Sequence, residues 1–154
     1  SQALGSNTTG SNNTAVGYQA AYSNVTGTAI AALGYQAAKN STAGYVTALG
    51  FNALLTNTTG TGTAVGFAAL QNNTTGIANV AVGGNDAVTS AALQNNTIGS
   101  YNSAFGVAAL QANTTGNNNT AVGYQALFSN TVDGNIGIGY RAGYTNTKIG
   151  RAHV

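Results

Sequence analysis

The chain has 154 residues, with four Lys or Arg, two Asp or Glu, one His and no Cys, and only 4% of its residues are charged, against roughly 25% in an ordinary soluble domain. Lack of Cys excludes a disulfide framework and a thiolate metal site, and so few ionisable groups leave almost nothing for acid–base or metal chemistry. A net charge of +2 is no footprint for nucleic acid, 43% hydrophobic residues argue against charge-driven disorder, and their runs stay short of the ~18–20 residues of a membrane span.

In chain order, Ser1-Gln2-Ala3-Leu4 reads as the tail of a repeat, so the chain is expected to start mid-repeat. Asn7–Gly10 follows as an Asn-Thr-Thr-Gly turn, repeated at Asn57–Gly60, Asn73–Gly76 and Asn113–Gly116. Asn and Gly take left-handed backbone angles cheaply, which suits a corner. The string Thr-Ala-Val-Gly-Tyr-Gln-Ala stands at Thr14–Ala20 and again at Thr120–Ala126. Looser copies centre on Gly17, Gly34, Gly50, Gly66, Gly83, Gly106, Gly123 and Gly139, spaced by 17, 16, 16, 17, 23, 17 and 16 residues. The long interval predicts a loop inserted at about 86–93.

Aligned on these glycines, the copies form columns. Immediately before each glycine stand Val16, Leu33, Leu49, Val65, Val82, Phe105, Val122 and Ile138, and two before it a run of Ala from Ala15 to Ala121 ends in Gly137. One after it come Tyr18, Tyr35, Phe51, Phe67, Gly84, Val107, Tyr124 and Tyr140. The alternation has a period of two and predicts short strands. A period of 16–17 residues is too short for a helical pair and suits one coil of an all-β parallel solenoid. About eight coils at ~4.8 Å each make a rod roughly 40 Å long. The Val/Leu/Ile column is expected to form an inner ladder, each member contributing roughly 1.5–3 kcal/mol on full burial, with an aromatic ladder beside it. The Ala columns are expected where backbones or chains approach closely. Only Asp86 and Asp133 are acidic, which excludes a calcium-binding nonapeptide roll. Hexapeptide and leucine-rich periods are absent.

Asn13-Thr14-Ala15-Val16-Gly17, Asn119-Thr120-Ala121-Val122-Gly123 and the variant Asn102-Ser103-Ala104-Phe105-Gly106 resemble the head repeat of trimeric autotransporter adhesins of the YadA type. They are more similar still to the Asn-Thr-Ala-Val-Gly-Tyr-Gln-Ala-Leu repeats of phage tail-fibre-like and bacterial surface proteins, often found ahead of endosialidase-type intramolecular chaperones. The resemblance covers residues 1–147. It implies a left-handed β-roll, a parallel homotrimer and an extracellular place on a bacterial surface or phage fibre. The period here is longer than the 14–15 residues of the adhesin head, and neither chaperone nor anchor lies within these residues.

Residues 148–154 read differently. Ile149-Gly150-Arg151-Ala152-His153-Val154 translates one frame of a common short-read sequencing adapter, so this tail is expected to be foreign to the native chain, as in a metagenomic fragment. The competing reading is a shortened last repeat, echoed by Asn146-Thr147-Lys148-Ile149-Gly150. Without Lys148 and Arg151, two cations (Lys39, Arg141) balance two carboxylates.

No catalytic, cofactor-binding or metal-binding residue is expected, and the chain is read as no enzyme. His153 has no carboxylate partner nearby in sequence, Asp133-Gly134 reads as a turn, and Lys39 and Arg141 are too far apart in sequence for a patch. The glycines form no phosphate loop. Asn-Thr-Thr strings are formal glycosylation acceptors that recur because the turn recurs. The aromatic column either packs, in the coil or at a trimer axis, or stacks on sugar rings; free exchange of Phe with Tyr favours packing. Possible surface contacts are Tyr18, Tyr35, Tyr124, Tyr140 and Asp86, the last in the inserted loop. The leading expectation is a structural, adhesive fibre segment, with a host receptor or glycan as partner and neither nucleic acid nor membrane insertion. The alternative is an ice-binding solenoid using the Thr ranks Thr8/Thr9, Thr58/Thr59, Thr74/Thr75 and Thr114/Thr115.

Overall fold

A computed structural model describes residues 2–85 and 90–146, and the backbone of Ala152 and His153. The chain is an all-β parallel solenoid. Eight short strands carry the coils: β1 (Thr14–Val16), β2 (Ile30–Leu33), β3 (Val46–Leu49), β4 (Gly62–Val65), β5 (Asn79–Val82), β6 (Ser103–Phe105), β7 (Thr120–Val122) and β8 (Ile136–Ile138). They lie in one sheet in sequence order, every pair parallel. The register stacks Val16 on Leu33, Leu49, Val65, Val82, Phe105, Val122 and Ile138, as the sequence columns predict. β9 (Ala152–His153) pairs with β8 through Ile136↔Ala152 and Gly137↔His153. The rest of 147–154, which includes the competing repeat echo, lies outside the described residues.

The ladder exists, but it points the other way. Val16, Leu33, Phe105, Val122 and Ile138 are 38–56% exposed, whereas Ala32, Ala48, Ala64, Ala81, Ala104 and Ala121 are buried. Strand periodicity forces a choice of face, and residues at one and three before the glycine share the outward one. The inward face carries alanine because the far wall of the coil is already filled by Leu54, Leu70, Leu93, Leu110 and Leu127, all fully buried. At Gly137 not even alanine fits, since a Cβ there would lie 2.7 Å from Leu127 Cγ. The narrow interior, not a contact between chains, explains the alanine columns. The tightest backbone approach falls at the glycines instead: a Cβ on Gly34, which has φ +134°, would lie 2.5 Å from the Gly50 carbonyl oxygen.

The corner after each strand is built from left-handed residues on alternate positions, such as Gln19 and Ala21, Gln36 and Ala38, or Ala68 and Leu70, with φ of 49–54°. Each costs about 1–2 kcal/mol. Leu54, Leu70, Leu93, Leu110 and Leu127, all in this conformation, are fully buried, and burial of about 1.5–3 kcal/mol apiece offsets that strain. Cross-coil bonds hold the corner too, as in Leu54 N–H to Ala69 O at 3.0 Å and Leu93 N–H to Ala109 O at 2.9 Å. The opening residues behave as a repeat tail: Leu4 has φ 52° and donates to Ala20 O at 2.9 Å.

The insertion is shorter at its far end than expected. Ala91, Ala92 and Leu93 are fully buried and resume the core columns, with Ala92 N–H donating to Gly83 O at 2.9 Å. Residues 86–89, with the expected contact at Asp86, lie outside the described residues.

Replacing Leu70 by Ala should destabilise the fold by about 2–5 kcal/mol, because the stacked coils cannot collapse into the cavity. Ala64→Leu should cost about 1–3 kcal/mol by overpacking. Guanidinium melts followed by circular dichroism check both, and a loss below about 1 kcal/mol at Leu70 would contradict this core.

Candidate functional site

Three longitudinal features run along the rod: buried asparagine ladders, a threonine corner and an outward apolar face.

The Asn-Thr-Thr-Gly asparagines do not supply left-handed backbone. Among the described residues, positive φ at asparagine falls on Asn12, Asn52 and Asn118. The turn asparagines instead staple the corner with their side chains. Asn24, Asn57, Asn73, Asn96 and Asn113 are buried. Each donates across its own turn, as Asn73 Nδ2 does to Gly76 O at 3.0 Å, and to the preceding coil, as Asn73 does to Asn57 Oδ1 at 2.9 Å and Asn96 to Asn73 Oδ1 at 2.8 Å. Where Ser41 replaces asparagine, its hydroxyl accepts from Asn57 Nδ2 at 2.9 Å. A second ladder runs beside the strand starts: Asn102 and Asn119 backbone N–H groups donate to Asn79 Oδ1 and Asn102 Oδ1 at 3.0 Å, and Asn135 N–H to Asn119 Oδ1 at 2.9 Å. In coils two and three this column is Ile30 and Val46, buried and apolar. The sequence shows these asparagines at fixed spacing; burial is what composition could not reveal.

The first threonine of the corner is internally committed. Thr58 Oγ1 donates to Thr74 O, Thr74 to Thr97 O and Thr97 to Thr114 O, each at 3.0 Å. Only the second row faces outward freely, and Ala43, Ile98 and Val132 interrupt Thr9, Thr26, Thr59, Thr75 and Thr115.

The outward face combines the Val/Leu/Ile/Phe ladder with the aromatic column. Tyr18, Tyr35, Phe51 and Phe67 stack in one series with centroids 5.3, 5.0 and 4.9 Å apart, and Tyr124 stacks on Tyr140 at 5.7 Å. The rings do pack, but on one another and in the open: Tyr18, Tyr35 and Tyr124 are 44–48% exposed and Tyr140 73%. Mutual stacking occupies their faces, so the row offers mostly ring edges and cannot stack sugars along its length. Beside it Arg141 donates from Nε to Gln125 Oε1 at 2.7 Å and covers the Tyr144 ring at 4.9 Å. Asp133 Oδ1 accepts from Asn117 N–H at 2.7 Å, tying two coils together across the predicted turn.

Among the described residues no group of three His, Cys, Asp or Glu could hold a metal ion, and no helix is long and apolar enough to cross a membrane. No protein-family model, curated protein or solved structure matches the chain.

Asn73→Ala should cost about 3 kcal/mol or more, since it removes the partners of Asn57 Oδ1, Asn96 Nδ2 and the Gly76 carbonyl together. Thr75→Ala, at the exposed second row, should stay within about 0.5 kcal/mol. Equilibrium denaturation separates the two, and equal effects would mean that the ladder does not carry the corner.

Proposed function

We propose that the chain is a structural segment of an extracellular adhesive fibre, built by parallel association of three copies through the outward sheet face. One observation carries the reading: an uncharged apolar strip along the rod, with Val16 and Leu33 more than half exposed. Seven coil steps at ~4.8 Å make it roughly 34 Å long; the other outward column, three before each glycine, is mostly Thr and Ser, so the apolar strip is the ladder with the aromatic row beside it. With the aromatic row this reaches several hundred Å², the range in which exposed apolar surface marks an interaction site. A parallel, in-register neighbour presents the same columns to this strip, so like coils meet like coils and no charge needs a partner. The resemblance of the Asn-Thr-Ala-Val-Gly strings to adhesin-head and tail-fibre repeats supports the same assembly and an extracellular place. The mechanism is geometric: a stiff rod holds binding elements away from a surface, and repeated coils present repeated weak contacts to a receptor or glycan.

Light scattering coupled to size exclusion should give three times the chain mass. Leu33→Asp with Leu49→Asp should shift the protein to monomer while its β circular dichroism persists. A stable wild-type monomer would sink the assembly.

The ice-binding alternative draws on the outward Thr9, Thr26, Thr59, Thr75 and Thr115. The three interruptions in that row and the internal use of the first row favour the fibre. Thermal hysteresis of the purified protein decides, with none expected at millimolar concentration.

A further inference from the structure

Coil four is one residue short on the way into its strand. In the other coils a left-handed residue stands five before the glycine: Asn12, Ala29, Tyr45, Ala78, Tyr101 and Asn118 have φ of 53–59°. Its N–H donates to a backbone carbonyl of the preceding coil, as Tyr45 does to Thr28 O at 2.8 Å and Tyr101 to Ile77 O at 3.0 Å. Coil four lacks this residue and enters β4 through Thr61 and Gly62. Two bonds of the series change as a result. Ala78 N–H turns to the Thr61 side chain, Oγ1, at 3.3 Å, and no backbone bond joins Thr61 N–H to the Gly44 carbonyl.

The missing residue opens a groove of about 490 Å³ lined by Tyr45, Thr61, Gly62, Thr63, Ala78 and Val80, with Asn79 at its floor. That volume lies within the ~300–1,000 Å³ of small-molecule sites. Tyr45 is 75% exposed and, unlike the aromatic column, stacks on no other ring among the described residues. Its faces are free. Among the described residues Thr63 Oγ1 makes no hydrogen bond, and the lining contains no charged side chain.

We propose that this groove binds one uncharged pyranose unit of a glycan, with its apolar ring face on Tyr45 and its hydroxyls on the Thr61 and Thr63 side chains and the Thr61 N–H. A free aromatic face beside neutral donors and acceptors suits a neutral sugar, whereas an anionic sugar would meet no cation. The groove lies at the entry end of the strand and reaches the outward face at Thr63 and Val80, two residues or roughly 7 Å from Val65 and Val82 of the ladder. For its biological role the proposal rests on the attachment reading; the binding itself does not need the trimer.

The test is a proton–nitrogen NMR titration of the full chain with methyl β-glucoside, methyl β-galactoside and N-acetylglucosamine, with N-acetylneuraminic acid as the anionic comparator. At least one neutral sugar should shift the Thr61, Thr63 and Ala78 amides with a Kd of about 1–10 mM. Tyr45→Ala should weaken it about tenfold or more, Thr63→Val several-fold, and Tyr45→Phe and Tyr101→Ala little. Alanine is tolerated at this position, since Ala29 and Ala78 hold the same backbone conformation in neighbouring coils. No shift from any neutral sugar at about 50 mM, binding that survives Tyr45→Ala, or preference for the anionic sugar would overturn the proposal. Light scattering on the same samples separates the readings: a trimer that ignores the sugars sinks the groove alone, and a monomer that binds through Tyr45 sinks the assembly alone.

Discussion

Stacking of like residue on like residue, one coil apart, is the constraint from which the other features follow. Each coil hands its backbone and asparagine hydrogen bonds to the next, so a buried polar group is satisfied only if the neighbouring coil repeats the same residue type in the same place. This is why Ser41 can stand in the ladder while keeping a hydroxyl acceptor for Asn57. It is also why the glycine before each corner recurs, as the next coil's backbone leaves no room for a Cβ. The corner's left-handed leucines are strained individually and held by that stacking.

The same constraint empties the interior of bulk. From coil three onward a corner leucine faces a strand alanine or Gly137 across the interior, Ile30 and Val46 fill the strand starts of coils two and three, and the ladder side chains before each glycine are turned out. The fold thus places its apolar excess on a flat, uncharged exterior face. The rod's polar inventory is inverted in the same way: many asparagines are inside, and the aromatic rings outside lie on one another.

Departures from the repeat mark the surface. Gly84 and Val107 interrupt the aromatic row between Phe67 and Tyr124. Coil four omits a residue on the opposite end of the strand and opens the groove beside Tyr45. A regular array presents the same contact many times over, whereas a shortened coil creates a place that occurs once. A fibre can use both, the first for assembly and the second for selective attachment.

The sequence by itself determined the period, the strand positions and the register, because glycine spacing and two-residue alternation are local and the copies between corner and glycine differ by at most one residue, the long interval before Gly106 excepted. It also predicted an insertion at about 86–93, of which Ala91, Ala92 and Leu93 belong to the core. Tertiary structure decided the rest. Which strand face is buried depends on what the opposite wall brings, and Leu70 or Leu110 fills that wall from a position that local alternation does not address. Whether an asparagine caps a turn in water or forms a buried ladder depends on the neighbouring coil's side chain, 16–23 residues away in Asn73 and Asn96. The groove was legible only as a one-residue irregularity in spacing. Its exposed ring and unjoined backbone emerge only when coil four is stacked against neighbours that keep the left-handed residues Tyr45 and Ala78.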